Sequence, residues 1–371
     1  MKNDKKWFLK FIILSFILVV FVVIFNYIVD PYGIYKTNFF PNKLRNDQII
    51  RLVKTINVEN IKPVSISLGN SRVEAAFNPD HEYFAKPSYN LAVSGETLYE
   101  SRLFLEHAIK QGNLKQVLIV ADWIMFNNVM KKVPDFESYF EVNRYKYLFS
   151  FDMFKNSIKT IKNKKNTIGY LKNGLLYTNS NVIPSEGHLI TTIKDEKYSY
   201  QHTGKNNTYM DTKIDSLNDF RKILELCHEN NIKLDIIFSP LHIRRLEVLD
   251  YYQNIENWYD WKKKVVLSVE EVAKKYNQNT FKVVDFAIYH EITSEEFPKD
   301  PKKSMKYYVE SSHYKKELGD IVLDRLLDIS PYKDFGIELN SQNIDSHIQK
   351  LREDRVKFID IEAYIKEIFG K

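Results

Sequence analysis

The stretch "VSISLGNSRVEAAF", residues 64–77, joins a strand pattern to a helix pattern across a Gly-Asn-Ser-Arg turn. Its first half alternates apolar residues with serines, as in a strand with one buried face, and in its second half Val73, Ala76 and Phe77 recur at helical spacing. The stretch therefore predicts a strand-turn-helix unit. Ser71 lies at the turn, where a serine can cap the helix or expose its hydroxyl as a nucleophile, and both interpretations stay open here.

The same alternation of strand and helix patterns continues along the chain. Strands are predicted in PVSISLG, SYNLAV, QVLIVAD, IKLDIIFSP and FKVVDFA, and helices in TLYESRLFLEHAIKQG, SLNDFRKILELCHENN, WKKKVVLSVEEVAKKYN and KKELGDIVLDRLLD. Strands that alternate with helices indicate an α/β fold, a three-layer parallel sheet flanked by helices. In such sheets functional sites lie at the carboxyl ends of the strands, which is where Ser71 is expected.

The N-terminus has the pattern of a membrane anchor. Residues 11–29, FIILSFILVVFVVIFNYIV, carry no charge and follow a lysine-rich start. At about 1.5 Å per residue this run nearly spans a hydrocarbon core of about 30 Å, and no small-residue cleavage site follows it. A buried soluble helix fits poorly because the run is apolar all round. The lysines favour a cytoplasmic N-terminus. We therefore predict a single-pass plasma-membrane protein with an extracytoplasmic main domain.

These patterns predict the domain organisation. Residues 1–30 are the cytoplasmic tip and the transmembrane signal anchor, and residues 31–371 form one extracytoplasmic domain. Residues 131–210, rich in Tyr, Asn and Lys with weak periodicity, are expected to be an insertion over the sheet. Four aromatic residues of the insertion either stack on sugar rings or pack within it: Tyr139, Phe140, Tyr145 and Tyr147.

Composition excludes several function classes. The net charge is +6, but about half of it lies in the first ten residues, and no basic stripe predicts a nucleic-acid partner. The single cysteine, Cys227, rules out an internal disulfide. The nine histidines form no metal-ligand pattern, and neither a Walker nor a Rossmann glycine pattern occurs. No metal or cofactor is therefore predicted.

The segment "YVESSHYKKELG" could complete a nucleophilic serine site. A serine nucleophile needs a base, and the base needs an orienting group. Glu310 and His313 are three residues apart directly before a predicted helix, a spacing that lets the two side chains pair. The alternative is that Glu310 is a solvated acid and His313 only a residue at a helix start.

Three segments in this order resemble the SGNH/GDSL-type hydrolases: GNSR, YNLAVSGETLYES and ESSHY. In particular they look like the membrane-anchored branch that is similar to proteins of alginate or cellulose O-acetylation and of teichoic-acid D-alanylation. Three more segments, DPYG, DWIMFN and SPLHIRRLE, also look like that branch. The resemblance covers about residues 30–360 and implies an SGNH/flavodoxin-like sheet.

The resemblance implies roles for individual residues. Ser71 would be the nucleophile, His313 the general base, and Glu310 would occupy the position usually held by Asp. The backbone N–H groups of Ser71 and Gly95 would form the oxyanion hole. The Gly-x-Asn-Asp block that usually supplies a further oxyanion donor is absent, and ADWIMFNN stands there instead, with Asn127 as a candidate replacement.

Three further residues are candidates for substrate binding. Arg72 either meets an anionic or polyol substrate or forms a salt bridge within the fold. Asp122 ends a predicted strand and could point into the site. His242 also follows a strand end, so it either lines the same mouth or is structural.

The implied function is that of an extracytoplasmic serine-dependent O-acyl (acetyl) esterase or acyltransferase. Its substrate would be an acyl ester on a cell-surface polysaccharide or related polymer, and a multi-span membrane acyltransferase would be its partner. The alternative from another class is a non-catalytic SGNH-fold binding or assembly protein of a polymer-acylation complex. The missing oxyanion Asn favours this alternative, whereas Ser71, Glu310 and His313 at matching places favour the enzyme.

Overall fold

The computed structural model describes residues 2–40, 43, 49–127, 133, 135–141, 143–163, 169–177, 183–199, 208, 215–253 and 255–370. The chain divides into two compact units. The first contains residues 1–57 and 137–171, and the second contains residues 58–136 and 172–371.

The first unit begins with the apolar helix that the sequence predicts. Helix α1, Lys2–Val29, is long and apolar enough to cross a membrane, with a mean hydropathy of 3.1 over its most apolar window. That window is not buried against any part of the protein that the structure describes. The predicted apolar N-terminal helix is therefore present, and its insertion in a membrane and its orientation stay predictions.

Two further helices and a small core complete the first unit. Helix α2, Ile50–Ile61, contains the boundary between the units, and helix α5 is Phe151–Ile161. The core consists of Ile34, Leu52 and Ile56, and four partly buried tyrosines pack against it: Tyr32, Tyr35, Tyr139 and Tyr147. For Tyr139 and Tyr147, two of the four aromatic residues with alternatives of sugar stacking or packing, these contacts fit packing.

The second unit is built on a six-stranded sheet. The strands are β1 Ser65–Leu68, β2 Ser88–Asn90, β3 Gln116–Ala121, β4 Lys233–Phe238, β5 Lys282–Asp285 and β6 Ile337–Glu338. Their order is β2-β1-β3-β4-β5-β6, with all pairs parallel except β5 and β6. Strand β3, QVLIVA, is buried throughout, as expected of a parallel strand covered on both faces. The predicted α/β fold with a mostly parallel sheet is confirmed.

Helices flank this sheet in two groups. They are α3 Ser71–Ala76, α4 Leu98–Lys110, α6 His188–Ser199, α7 Ser216–Glu229, α8 Ile243–Gln253, α9 Ile255–Tyr276, α10 Lys316–Leu326, α11 Ile344–Phe358 and α12 Ile361–Phe369. Helix α7 packs between α4 and α9, whereas α3 packs on α10. Right-handed crossovers that run from β1 to β2 and back to β3 put α3 and α4 on opposite faces.

The strand order reverses direction at β1, which has β2 on one side and β3 on the other. In doubly wound sheets, ligands bind outside the carboxyl ends of the strands at such a switch point. The ends of β1 and β3 therefore mark where a site is expected.

Helix α10 approaches α3 closely at a glycine. Gly319 of α10 lies against the carbonyl of Ala76 in α3, and a side chain at position 319 would overlap that backbone. The absence of a side chain at Gly319 therefore lets the segment before α10 come close to the start of α3.

The domain boundaries 1–30, 31–371 and 131–210 stay predictions. Residues 137–171 cluster with α1 in the first unit, and the described remainder of 131–210 clusters in the second. Within the expected insertion, the residues outside the described part are 131, 132, 134, 142, 164–168, 178–182, 200–207, 209 and 210.

Candidate active site

Ser71 directly follows the turn after β1 and is partly buried. Asn70 is the N-cap of α3, and its side-chain oxygen accepts a hydrogen bond from the Arg72 N–H at 3.1 Å. Gly69 has φ +147, and a side chain there would overlap Val73. The interpretation of Ser71 as the helix cap is therefore wrong, since Asn70 caps the helix and Ser71 follows it.

Ser71, His313 and Glu310 form a hydrogen-bonded chain. The Ser71 Oγ lies 2.8 Å from the His313 Nε2, and the His313 Nδ1 is bonded to the Glu310 Oε1 on the far side of the ring. The second carboxylate oxygen of Glu310 accepts the Ser312 N–H at 2.5 Å. The predicted proximity of the three residues is confirmed as geometry, and their chemical roles stay a prediction.

The electrostatics of Glu310 determine the tautomer of His313. Burial of Glu310 opposes its ionisation, but the adjacent His313, Arg245 and the Ser312 N–H outweigh this effect and lower the carboxyl pKa to about 2. An ionised carboxylate only accepts hydrogen bonds, so the Nδ1 of His313 donates to it. The Nε2 of the neutral ring is then an acceptor facing the Ser71 hydroxyl. The His313 side chain is 43% exposed, so a substrate can reach it.

Arg72 connects three parts of the site. Its guanidinium is buried and pairs with the Asp122 carboxylate at the carboxyl end of β3. It also donates from Nε to the Ser312 carbonyl at 2.6 Å and from Nη2 to the Ser312 Oγ at 2.5 Å. The two substrate-binding candidates Arg72 and Asp122 thus bond to each other. The geometry fits the alternative of a salt bridge within the fold, which holds the Glu310–His313 loop beside Ser71.

A second loop is held beside the Ser71 turn by hydrogen bonds. The Val93 N–H donates to the Gly69 carbonyl at 3.2 Å. The buried Glu74 carboxylate of α3 accepts the Ser94 N–H at 3.1 Å and the Ser94 hydroxyl at 2.8 Å. Gly95 follows with φ +70, in the left-handed region that favours glycine. Hydrogen bonds therefore hold the loop that carries Gly95 against helix α3, although no sequence pattern predicts this role of Glu74.

The proposed oxyanion donors are backbone N–H groups. Ser71 is the first residue of α3, so its N–H has no acceptor within the helix. Within the described part of the chain, the N–H groups of Ser71 and Gly95 have no hydrogen-bond acceptor. Both groups could therefore bind an oxygen anion of a substrate.

Asn127 is the candidate replacement for the missing oxyanion amide. It is fully buried directly after the 3₁₀ turn Trp123–Phe126, and its Nδ2 donates to the Trp123 carbonyl at 3.0 Å. The structure thus gives its side-chain amide a backbone partner in its own turn. A role of Asn127 in the oxyanion hole stays a prediction without support from this contact.

His242 is buried away from solvent. Its Nε2 is bonded to the Glu295 carbonyl at 2.8 Å, its Nδ1 accepts the Arg244 N–H at 3.3 Å, and its ring packs against Phe297 and Tyr308. Burial lowers the pKa of the ring to about 3. The contacts are those of a neutral structural histidine, and a substrate-binding role stays untested.

Helix α6 supports the loop that carries Glu310 and His313. The His188 Nδ1 bonds the Val309 carbonyl at 2.6 Å, and the His188 Nε2 accepts the Met305 N–H at 3.4 Å. This support was missed from the sequence because α6 lies within 131–210, where the periodicity is weak. These contacts join residues more than a hundred positions apart in the chain, so only the tertiary structure shows them.

Three observations describe the site as a whole. No group of three or more His, Cys, Asp or Glu residues is placed to hold a metal ion among the described residues. Comparisons with protein-family profiles and with curated proteins give no match for this chain. The Ser71 hydroxyl faces a nitrogen of the His313 imidazole, and the Glu310 carboxylate orients that ring, an arrangement that fits nucleophilic attack by the hydroxyl.

Proposed function

We propose that the chain is a serine-dependent O-acyl (acetyl) esterase or acyltransferase of the SGNH type. The single observation that carries the proposal is the chain of hydrogen bonds from Ser71 through His313 to Glu310. The substrate class is an acyl ester of a cell-envelope polysaccharide or related polymer. The six sequence segments that resemble the membrane-anchored branch support this class.

The proposed reaction has two steps that share one intermediate. In the first, the Ser71 Oγ attacks the ester carbonyl carbon while its proton passes to the His313 Nε2. The leaving alcohol then takes this proton, and an acyl-Ser71 ester remains. In the second step water or a sugar hydroxyl attacks the acyl group with the same proton transfers. Water gives hydrolysis and a sugar hydroxyl gives transfer.

Glu310 and the backbone donors would stabilise the charges that develop. The ionised Glu310 holds the ring of His313 and favours its charged form after proton uptake. The N–H groups of Ser71 and Gly95 would bind the carbonyl oxygen as it becomes negative. Each such donor is worth about 10²–10³ in rate.

The location and the partner are also part of the proposal. Helix α1 is long and apolar enough to span a membrane, and the lysines before it favour an extracytoplasmic catalytic domain. An extracytoplasmic acyl transfer needs an acyl donor outside the cell. A multi-span membrane acyltransferase that exports the acyl group would supply it, as the resemblance implies.

One observation favours a second candidate function, that of a non-catalytic binding or assembly protein with the same fold. The side-chain amide of Asn127 donates to the Trp123 carbonyl, so the replacement for the missing oxyanion donor has another partner. A protein of this kind would bind the acylated polymer through the same edge of the sheet without forming an acyl-serine.

The test is acyl transfer to Ser71 in the full chain purified in detergent. The protein is mixed with an activated acetyl ester, ester cleavage is followed by absorbance, and the peptide that contains Ser71 is analysed by mass spectrometry. We expect cleavage and one added acetyl group on this peptide, both lost in Ser71→Ala. Ser346→Ala, which removes an exposed serine of α11, is the matched control. Equal cleavage by wild type and Ser71→Ala, with no acetylated peptide, would favour the binding protein.

A further inference from the structure

The one tryptophan and the one tyrosine of helix α1 lie near its two ends. Trp7 and Tyr27 are both exposed and lie twenty residues apart. At 1.5 Å per residue they are separated by about 30 Å, the thickness of a bilayer hydrocarbon core. Trp and Tyr are enriched at the two membrane interfaces. Tyr27 therefore marks the level at which α1 would leave the hydrocarbon.

Helix α5 packs on α1 at this same level. The Asn26 Nδ2 donates to the Leu148 carbonyl at 2.9 Å, and the Asn26 Oδ1 accepts the Ser157 hydroxyl at 3.1 Å. The Phe25 and Phe154 rings lie 5.3 Å apart. Asn26, fully buried by these contacts, is adjacent to Tyr27 in the chain. Helix α5 and the 3₁₀ turn Arg144–Phe149 before it thus lie at the level of Tyr27 on α1.

The exposed face of this segment continues the apolar surface of α1. Ring centroids are 5.8 Å apart from Phe21 to Phe25, 5.3 Å from Phe25 to Phe154 and 6.2 Å from Phe154 to Phe151. Phe149 and Phe151 are 63% and 66% exposed. Phe151 ends a row of rings that begins on α1 with side chains that would face lipid, and Phe149 lies two residues before it in the chain.

Basic residues accompany these rings. Lys146, Lys155, Lys159 and Lys162 are exposed on the same turn and helix or directly after it. The Lys155 Nζ lies 4.6 Å from the centre of the Phe151 ring, and 3.6 Å from the exposed Asp152 carboxylate, an acidic group on this surface. Lysines beside exposed aromatic rings fit anionic phospholipid headgroups, which attract each basic residue by about 1 kcal/mol.

We propose that residues 144–162 are an interfacial membrane-binding element that places Phe149 and Phe151 in the headgroup region of an anionic phospholipid bilayer. The lysines of this element contact the lipid phosphates, as in other amphipathic interfacial helices. This inference rests on membrane insertion of α1 and not on the chemistry at Ser71. The element would hold the end of the anchor helix at a defined depth.

The test is the depth of labels on the full chain in vesicles of phosphatidylcholine with phosphatidylglycerol. Phe149→Cys and Phe151→Cys carry a nitroxide, and Val356→Cys on the exposed surface of α11 is the matched apolar control. Cys227 is buried, and labelling of the wild type is the blank. Collisions with oxygen report lipid, and collisions with a water-soluble nickel chelate report water. We expect oxygen collisions to exceed nickel collisions several-fold at positions 149 and 151, and the reverse at 356.

Two results would overturn the inference. Nickel collisions at 151 as frequent as at 356 would mean that the ring faces water, and exclusion of both reagents would mean that it faces protein. The double variant Lys155→Glu/Lys159→Glu tests whether the lysine charges hold the element at the membrane, and it alters only exposed side chains. We expect this pair to move the 151 label outward in anionic vesicles and not in phosphatidylcholine alone. An unchanged label in anionic vesicles would refute the role of anionic lipid.

Discussion

Replacement of Glu310 by Gln tests the proposed mechanism because it exchanges one carboxylate oxygen for an NH₂ group. In the wild type the Glu310 Oε2 accepts the Ser312 N–H at 2.5 Å, and the Oε1 accepts the His313 Nδ1–H. A Gln at this position has one acceptor oxygen and one NH₂ donor. The fixed Ser312 N–H demands the oxygen, which leaves the NH₂ facing the Nδ1. That donor forces the ring proton to the Nε2, so the imidazole cannot accept the proton of Ser71.

The expected loss of activity is large because the wrong tautomer removes the general base. In serine triads where the carboxylate is replaced by its amide with the geometry intact, kcat falls about 10⁴-fold. At about 1.4 kcal/mol per factor of ten this equals about 5 kcal/mol of transition-state stabilisation. The assay is hydrolysis of an activated acetyl ester by the full chain, with kcat and KM determined separately. We expect kcat to fall and KM to change little.

The same variant should change the stability of the protein at low pH. The Glu310 pKa is about 2 in the folded protein against 4.5 for an ordinary Glu, since His313 and its other partners outweigh burial. The unfolded chain therefore binds the extra proton first as pH falls. The stabilisation is fully present above pH 4.5 and is lost between pH 4.5 and about 2, to the extent of about 3 kcal/mol. Glu310→Gln should lack this part of the acid dependence in urea unfolding.

Two results would refute the reasoning. Retention of kcat within about threefold in folded Glu310→Gln would show that the carboxylate does not orient a catalytic base. An acid dependence of stability equal to that of the wild type would show that Glu310 is not held ionised by its partners. Glu310→Asp separates charge from length, and because it keeps an acceptor for the Nδ1–H we expect it to retain more activity than Gln.

Three further substitutions test contacts around the site. Arg72→Ala leaves the buried Asp122 carboxylate without its ion-pair partner. We expect the free energy of unfolding, measured in urea, to fall by about 3–5 kcal/mol, and a fall below about 1 kcal/mol would contradict a buried ion pair. Glu74→Ala removes the acceptor of both hydrogen bonds from Ser94. We expect kcat to fall about 10²-fold with KM nearly constant, because the loop that carries Gly95 is no longer held in place. An unchanged kcat in a folded variant would show that Glu74 does not position Gly95. Because burial lowers the His242 pKa to about 3, the stability it contributes is present above pH 6.5 and is lost as pH falls toward 3. The melting temperature should therefore depend less on pH between 6.5 and 4.5 in His242→Gln, and an equal slope in both proteins would contradict this.

The sequence alone predicted the elements whose signals are local. The unbroken apolar run predicts α1, and the alternating segments predict the strands of the parallel sheet, because periodicity reports which face of an element is buried. It did not predict β6, whose two residues Ile337 and Glu338 are exposed and show no buried face. It also missed α5 and α6, since the periodicity of 131–210 is weak.

The catalytic candidates could be identified from the sequence only because their motifs follow one another in the order of the family that they resemble. The strand-turn-helix pattern places Ser71 at the carboxyl end of β1, and the spacing of Glu310 and His313 allows them to pair. Ser71 and His313 are 242 residues apart in the chain. They come together because α3 packs closely against α10. Local patterns carry no information on such a distance.

The tertiary structure alone decided which polar residues pair with each other. Arg72 bonds Asp122 and Ser312, His242 is enclosed by aromatic rings, and Asn127 bonds its own turn. From the sequence, each of these residues could equally bind a substrate. The sequence does not show whether a polar side chain at a strand end faces solvent or a partner within the protein. Burial makes the difference, since a polar group taken out of water must find its hydrogen bonds within the protein.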